Sequence, residues 1–502
     1  MKKTMLLAAA GLCLTGTLAF AGGGQGTGAG GGGTKAVTLT MVNRVNPEVV
    51  IDNNPMLKYI REQFGFNIEL EAPPINNYND RLQIIMASGD LPDLIYIWSM
   101  DRNYTKWAED GILKPVGDLV KKYPNIMHNI TPELLESAVI ASTGLAYAVP
   151  RANKVNRWGF MANIKWLAKL GVSAPNTIDE FYELGKKVAT GDPDGNGQND
   201  TYLISPDGDV WGDAGIIQEA FLPGPLFGAP DFDGTYKIRE KMNGYYSYLE
   251  FMRKLYTEKI MDPEFFVNKT YGGREKVLQN RVALLHTHDS TVPESPQYNN
   301  NGALDTFDFF PPVKAADGKR RNYVAPPAWG AWGLPVASKK TEDALRFLDW
   351  GNSPEGFEAL YWGVPGQTYN SYDLKTRKVD QTEEQRKKWS TVTSSYMTVS
   401  FAYEGGMAAI SNQTKIADYY QKILRNFTSQ TEDIAVPSVK LPEWDTFQTD
   451  NPDLITRKGE LENKYIIGEI SLDELKRFIN SEWLPKSAGY EAAYLRLMSA
   501  KK

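Results

Sequence analysis

Residues 78–98 read YNDRLQIIMASGDLPDLIYIW. The segment 78–89 carries helical spacing and ends on a glycine stop. After the break at Pro92, the run 92–98 is unbroken and apolar, the pattern of a strand buried on both faces. The same grammar extends back toward the N-terminus. AVTLTMV (36–42) alternates as a strand does, PMLKYIREQFG (55–65) sets Leu57, Ile60 and Phe64 on one helical face, and NIELEAP (67–73) is a second strand. Strand, helix, strand, helix, strand predicts a doubly wound α/β domain. Ligands bind such sheets beyond the carboxyl ends of the strands, which directs attention to 43–47 and 98–103.

Ahead of this domain, MKKTMLLAAAGLCLTGTLAFA (1–21) has a basic start, an apolar stretch and a small-x-small end, the build of a secretory signal. It is too short for a membrane span, and nothing downstream approaches one. Cys13, the one cysteine, lies inside it behind the bulky Leu12, which argues against lipid anchoring. An exported periplasmic chain without a disulfide is expected, and such a chain needs a large core. Cleavage after Ala21 leaves 481 of 502 residues and, with two lysines and no acid removed, takes the formal charge from −6 to −8. An acidic chain with no basic run is a poor nucleic-acid binder. Nine of the twelve residues in 22–33 are glycine, so 22–35 is a linker.

Further along, GLAYAVPR (144–151) is a strand that breaks at Pro150, and 146–152 is taken as a first crossing between lobes. TIDEFYELGKKVAT (177–190) is a helix whose Thr177 and Glu180 form a capping box. VALLHTHD (282–289) is a buried strand with a polar end. NYVAPPAWGAWGLPVAS (322–338) is taken as the return crossing, and 461–500 as at least two amphipathic helices. The expected lobes are 36–148 with about 325–365, and 149–324 with about 366–502.

DPDGNGQND (192–200) places Asp192, Asp194, Asn196, Gln198 (through its carbonyl) and Asp200 at positions 1, 3, 5, 7 and 9 of a calcium loop, with Gly197 at position 6. Position 12 is Leu203 instead of the bidentate glutamate, so Asp207 or Asp209 would have to close the shell. A plain polar turn has no need of three converging carboxylates, whose repulsion a cation relieves. No catalytic group accompanies the loop, so calcium is expected as a structural cofactor.

Four stretches together resemble the extracellular solute-binding proteins of carbohydrate ABC importers (family 1, the large lipoprotein-type branch). They are DRLQIIMASGDLPDLIYI (80–97), GLAYAVPR with WGFMANIKWLAKLGVSAPNTIDEF (158–181), DALRFLDWGNSPEG (343–356) and ENKYIIGEISLDELKRFINSEW (462–483). The resemblance implies a two-lobed periplasmic-binding-protein-like fold of type II, each lobe a mixed sheet flanked by helices, with a helical C-terminus. It implies a monomer that captures an oligosaccharide in an inter-lobe cleft by hinge closure, delivers it to an ABC permease and performs no catalysis. Thr201, beside the last loop aspartate, is a further candidate for the calcium shell on this likeness.

Sugars present apolar C–H faces to aromatic rings and hydroxyls to carboxylates and amides. On that basis the strand ends and crossings offer Trp98, Asp101, Arg157, Trp158, Trp211, His288, Asp289, Trp329, Trp332 and Trp362 as ligand residues. Arg151 and Arg157 suit a carboxylated sugar. Zinc at the two histidines of HTHD would lack ligands, with only His128 left elsewhere. The rival readings are a secreted polysaccharide-degrading enzyme, against which the absence of a nucleophile elbow or zinc motif counts, and a peptide- or polyamine-binding protein of the same fold.

Overall fold

The computed structural model describes residues 36–500 apart from 141, 153–157, 213–214, 224–229, 270, 290, 292–304, 325–327, 377, 395–396, 402–417, 420–421, 424, 426, 428 and 436–440. The leader, the glycine tether and Arg157 therefore lie outside the described residues, as does the side chain of Trp329. Ala36–Lys502 forms one compact unit. Among the described residues no helix is long and apolar enough to cross a membrane.

The first sheet holds strands β1 (Val37–Val42), β2 (Phe66–Glu71), β3 (Leu94–Ile97), β4 (Ala148–Ala152) and β9 (Ala328–Gly333) in the order β2-β1-β3-β9-β4. β1 runs parallel to β2 and β3, and β9 runs antiparallel to both β3 and β4. All four residues of β3 are buried, as its unbroken apolar run predicts. Between β1 and β2 lies helix α1 (Pro55–Phe64). Asn54 caps it, accepting from the N–H groups of Met56 and Leu57, and Gly65 ends it at φ 75°. Met56 and Ile60 of α1 are fully buried, while Leu57 and Phe64 pack at the edge of the same core.

The second sheet is β6-β5-β7, with β5 (Trp158–Asn163) antiparallel to β6 (Leu284–His288) and to β7 (Phe307–Phe310). A parallel bridge from Tyr202 to Val282 makes its edge mixed. One face carries Phe160, Ala162 and Leu284 into a core shared with helix α6 (Tyr245–Thr257) and the C-terminal helices. The other carries Met161, Leu285 and Phe309 into a smaller one. Helix α4 (Ile178–Thr190) starts as Thr177 accepts the Glu180 N–H. Only half of the expected capping box forms, because the Glu180 carboxylate takes the N–H of Asn176 instead of Thr177.

The chain passes from the first sheet to the second between Ala152 and Trp158, and back between β8 (Arg321–Val324) and β9. The segment 148–152, read from sequence as part of the crossing, is thus a strand of the first sheet. The lobe boundary expected near 365 also moves. Val392, Met397 and Val399 belong to the first core, and the amide of Asn54 donates to the Val392 carbonyl at 2.8 Å. The first lobe therefore keeps the chain to about 401. The C-terminal part is helical as expected, with α10 (Pro442–Asp450), α11 (Pro452–Ile467) and a helix from Leu472 that continues through a π turn at Ile479–Trp483 into Leu484–Ala500.

Candidate ligand cleft

At the carboxyl ends of β1 and β3 the structure gathers charge and aromatic surface. Arg44, two residues past β1, is fully buried, and its guanidinium carbon lies 3.4 Å from the ring centre of Trp98. Arg151, near the end of β4, is equally buried and lies 4.8 Å from the Tyr96 ring and 4.6 Å from Phe401. It donates to the Thr398 carbonyl at 3.2 Å. A weakly hydrated, planar guanidinium stacks well on rings, and desolvation strengthens the attraction. Tyr78 lies within the field of both cations and donates its hydroxyl to the Tyr96 carbonyl at 2.6 Å; burial lifts its pKa well above the usual tyrosine range against their pull.

Just past the crossing, Trp158 opens β5 and pairs in register with His288 at the end of β6. Its ring lies 5.2 Å from His286 and 5.6 Å, edge-on, from His288. Burial pushes His286 down to about 4, so the imidazole is neutral at pH 7, and its Nδ1 has no hydrogen-bond partner among the described residues. Asp289 is buried one residue on. Packed against β5 is helix α5 (Gly215–Phe221). Burial pushes its Glu219 up to about 8 against the pull of Arg321, and Oε2 finds no hydrogen-bond partner among the described residues.

The ten ligand residues expected from sequence thus separate. Trp98, Trp158, His288 and Asp289 stand at the strand ends beside the crossing. Asp101 is also at such an end, but its carboxylate caps helix α3 (Arg102–Glu109), accepting the Asn103 N–H at 2.8 Å. Trp332 and Trp362 are corrected to packing roles, while Trp211 is half-buried. Trp332 is 1% exposed and packs on Tyr96 at 5.2 Å in the first core. Trp362 is 3% exposed among Tyr361, Tyr372 and Trp389. Trp211 stacks on Tyr245 at 5.6 Å with rings 5° apart, and its Nε1 donates to Glu462 at 2.8 Å. Gly330, between Trp329 and Trp332, serves packing too. It sits at φ 79°, where a Cβ would lie 2.3 Å from the Tyr96 hydroxyl. Arg44 lies in the 43–47 window to which the strand-end rule points, though the sequence reading names no cation there.

In the 192–200 loop, the Asp192 carboxylate accepts the N–H groups of Gly195, Asn196 and Gly197 at 2.9 to 3.1 Å. Burial would raise its pKa, but these donors hold it below the usual carboxylate range. Asp194 goes the other way, raised by burial and by the charges of Asp192 and Asp200. Asn196 points its amide nitrogen at Asp200, 3.0 Å away. Among the described residues no group of three or more His, Cys, Asp or Glu side chains is arranged to hold a metal ion. The three groups proposed to close the shell are engaged elsewhere. Asp207 accepts from the backbone of Tyr271 and Gly273, Asp209 from Trp211, and Thr201 donates to the Val188 carbonyl.

Two sheets with separate cores, joined by crossings beside a ring-and-guanidinium surface, define a two-lobed binding protein. The chain belongs to the bacterial extracellular solute-binding proteins, whose family model matches residues 49–356. It is 27% identical to lipoprotein LipO of Bacillus subtilis over 475 residues, 89% of each chain. It is 23% identical over 389 residues to the fructooligosaccharide transporter substrate-binding protein FusA of Streptococcus pneumoniae, covering 70% of each. The solved structure of FusA with kestose superposes with a TM-score of 0.66 at 18% identity, over 93% of this chain and 100% of that one; another FusA structure is of an EF-hand mutant. The alginate-binding protein AlgQ2, solved without calcium ion, gives a TM-score of 0.67 at 19% identity, over 92% and 97%.

Proposed function

We propose that this protein is the exported substrate-binding component of an ABC importer, capturing an oligosaccharide between its lobes and passing it to a permease. The observation that carries this reading is the juxtaposition at the crossings. Trp98 backed by Arg44 stands on the first sheet, and Trp158 with the two histidines on the second. Rings take the apolar faces of a sugar, and guanidinium and imidazole groups take its hydroxyls or a carboxylate. The family consists of binding proteins, and FusA's own ligands are fructooligosaccharides. Titration with neutral and uronic oligosaccharides, followed by tryptophan fluorescence, is expected to saturate at micromolar or lower concentration with the sugar recovered intact. No response to any of them, or cleaved products, refutes the reading.

The reading includes calcium in the 192–200 loop. The spacing of Asp192, Asp194, Asn196, Gln198 and Asp200 and the backbone turn around Asp192 support it, and oxygen donors of this kind suit a hard cation. Asp192, Asp194 and Asp200 would supply carboxylate oxygens, Gln198 its carbonyl, and Asn196 its amide oxygen once that amide turns. A bound ion would neutralise the crowding and stiffen the loop. Calcium is expected to raise the melting temperature over that in EDTA by several degrees, since ligand bound only to the native state stabilises it. Asp194→Asn should remove that rise. An unchanged melting temperature would end the calcium reading while leaving the sugar reading intact.

A further inference from the structure

An arginine at the first turn of a helix is locally unfavourable, because the N-terminus of the helix dipole is already positive. Arg102 occupies the first position of α3, and its Nη1 donates to the carbonyl of Gln448, 3.2 Å away and 346 residues along the chain. That carbonyl lies in the last turn of α10. Its helical partner would be the N–H of residue 452, which is proline and has none. The preceding carbonyl, of Phe447, is served by both the backbone and the side chain of Asn451, at 3.0 Å each. Gln448 is thus left with an acceptor at the negative end of its helix, and a cation from elsewhere supplies the donor.

The two helices belong to different lobes. Tyr104 and Ala108 of α3 lie in the first core, and Phe447 of α10 in the second. The two helices are in contact. α10 is a firm support, since Phe447 packs on Trp444, Trp483 and Tyr490 at 4.9 to 5.6 Å. α3 begins four residues past Trp98, at the edge of the candidate cleft. We propose that the contact between Arg102 and the Gln448 carbonyl is a latch that holds the two lobes closed and sets the balance of open and closed forms before any ligand arrives. A sequence with Arg at the start of one helix and Pro just past the end of another builds this latch without an ion pair, so salt screens it little.

The test needs no ligand, so its failure is distinguishable from failure of the sugar reading. With Cys13 replaced by Ser, spin labels at Asp52→Cys and Asp473→Cys, both exposed and on different lobes, report the inter-lobe distance by pulsed electron resonance. Arg102→Ala is expected to shift the open-to-closed ratio about fivefold, the size of one net hydrogen bond. Arg102→Lys, which keeps a cationic donor, should recover most of the wild-type distribution. If Arg102→Ala melts early, Pro452→Ala gives the second reading, since it offers a competing N–H to the Gln448 carbonyl and should open the lobes in the same direction. Distance distributions unchanged from wild type in the folded variants overturn the latch.

Discussion

Glu219→Gln offers a pH-resolved test of the packing behind the cleft. Burial in α5 raises the carboxyl from 4.5 to about 8, with the Arg321 charge opposing the rise. An acid whose native pKa is raised holds its proton in the folded state after the unfolded chain has released it. Stability is therefore fully present below 4.5 and is lost as pH climbs through about 8. The gap between those values amounts to about 5 kcal/mol when complete, and to about 3 kcal/mol at pH 7. Glutamine keeps the shape and removes the titration. Urea unfolding of both proteins from pH 4 to pH 8.5 should give nearly equal stabilities at pH 4 and a growing advantage for the variant above it, reaching about 2–3 kcal/mol near neutrality. His286 contributes the opposite slope, because its depressed pKa costs stability as pH falls from 6.5 to about 4. That contribution is common to both proteins and cancels in the difference. A difference that does not change with pH would refute the buried, protonated acid.

Three further outcomes are expected. Lys458→Ala strands the Glu240 and Glu462 carboxylates, now 2.9 and 2.8 Å from the ammonium, in the second core and should cost about 3–5 kcal/mol by denaturant unfolding. Gly330→Ala must place a Cβ against the Tyr96 hydroxyl at a positive φ, and should lose about 1–3 kcal/mol together with sugar affinity, both absent if Tyr96 has room to move. Trp158→Ala should weaken sugar binding about tenfold in calorimetry with little change in melting temperature, whereas Trp332→Ala should lose about 3–5 kcal/mol of stability. Equal effects of the two tryptophans would remove the distinction between cleft and core.

What could be read from the chain follows the range of the forces involved. Caps, glycine stops and the unbroken run of β3 are local, and the first α/β layer comes out of them directly. Trp332 could not be placed that way. Its strand enters the sheet between β3 and β4, which are formed by residues about 235 and 180 positions earlier, and only that insertion buries it on both sides. Trp211 looks exposed among glycines and aspartates until Glu462 and Tyr245, distant in sequence, close over it. The same holds for Asp207, whose carboxylate is consumed by the backbone donors of Tyr271 and Gly273, whereas Asp209 is taken locally by the N–H of Trp211 two residues on. Arg44 shows the opposite failure. Its position is legible from the strand-end rule, but nothing in its local sequence marks it as the cation that stacks on Trp98.

The placement of Arg151 and Trp158 ties binding to motion. The first belongs to the last strand before the crossing and the second opens the first strand after it, so any rotation of one sheet against the other changes the distance between them. A ligand held by both cannot bind equally well to the open and closed arrangements, and unequal binding is the only means by which a ligand can shift such a balance. Arg102 acts on the same balance from α3, without belonging to the ring-and-guanidinium surface. Loss of the latch should therefore weaken every sugar by a common factor. Loss of Trp158 should change the ranking among sugars, because on the proposed reading that side chain meets the ligand itself. Affinities of the variants across one panel of neutral and uronic oligosaccharides separate the two effects, and a reordered ranking in Arg102→Ala would place that residue in the binding surface instead.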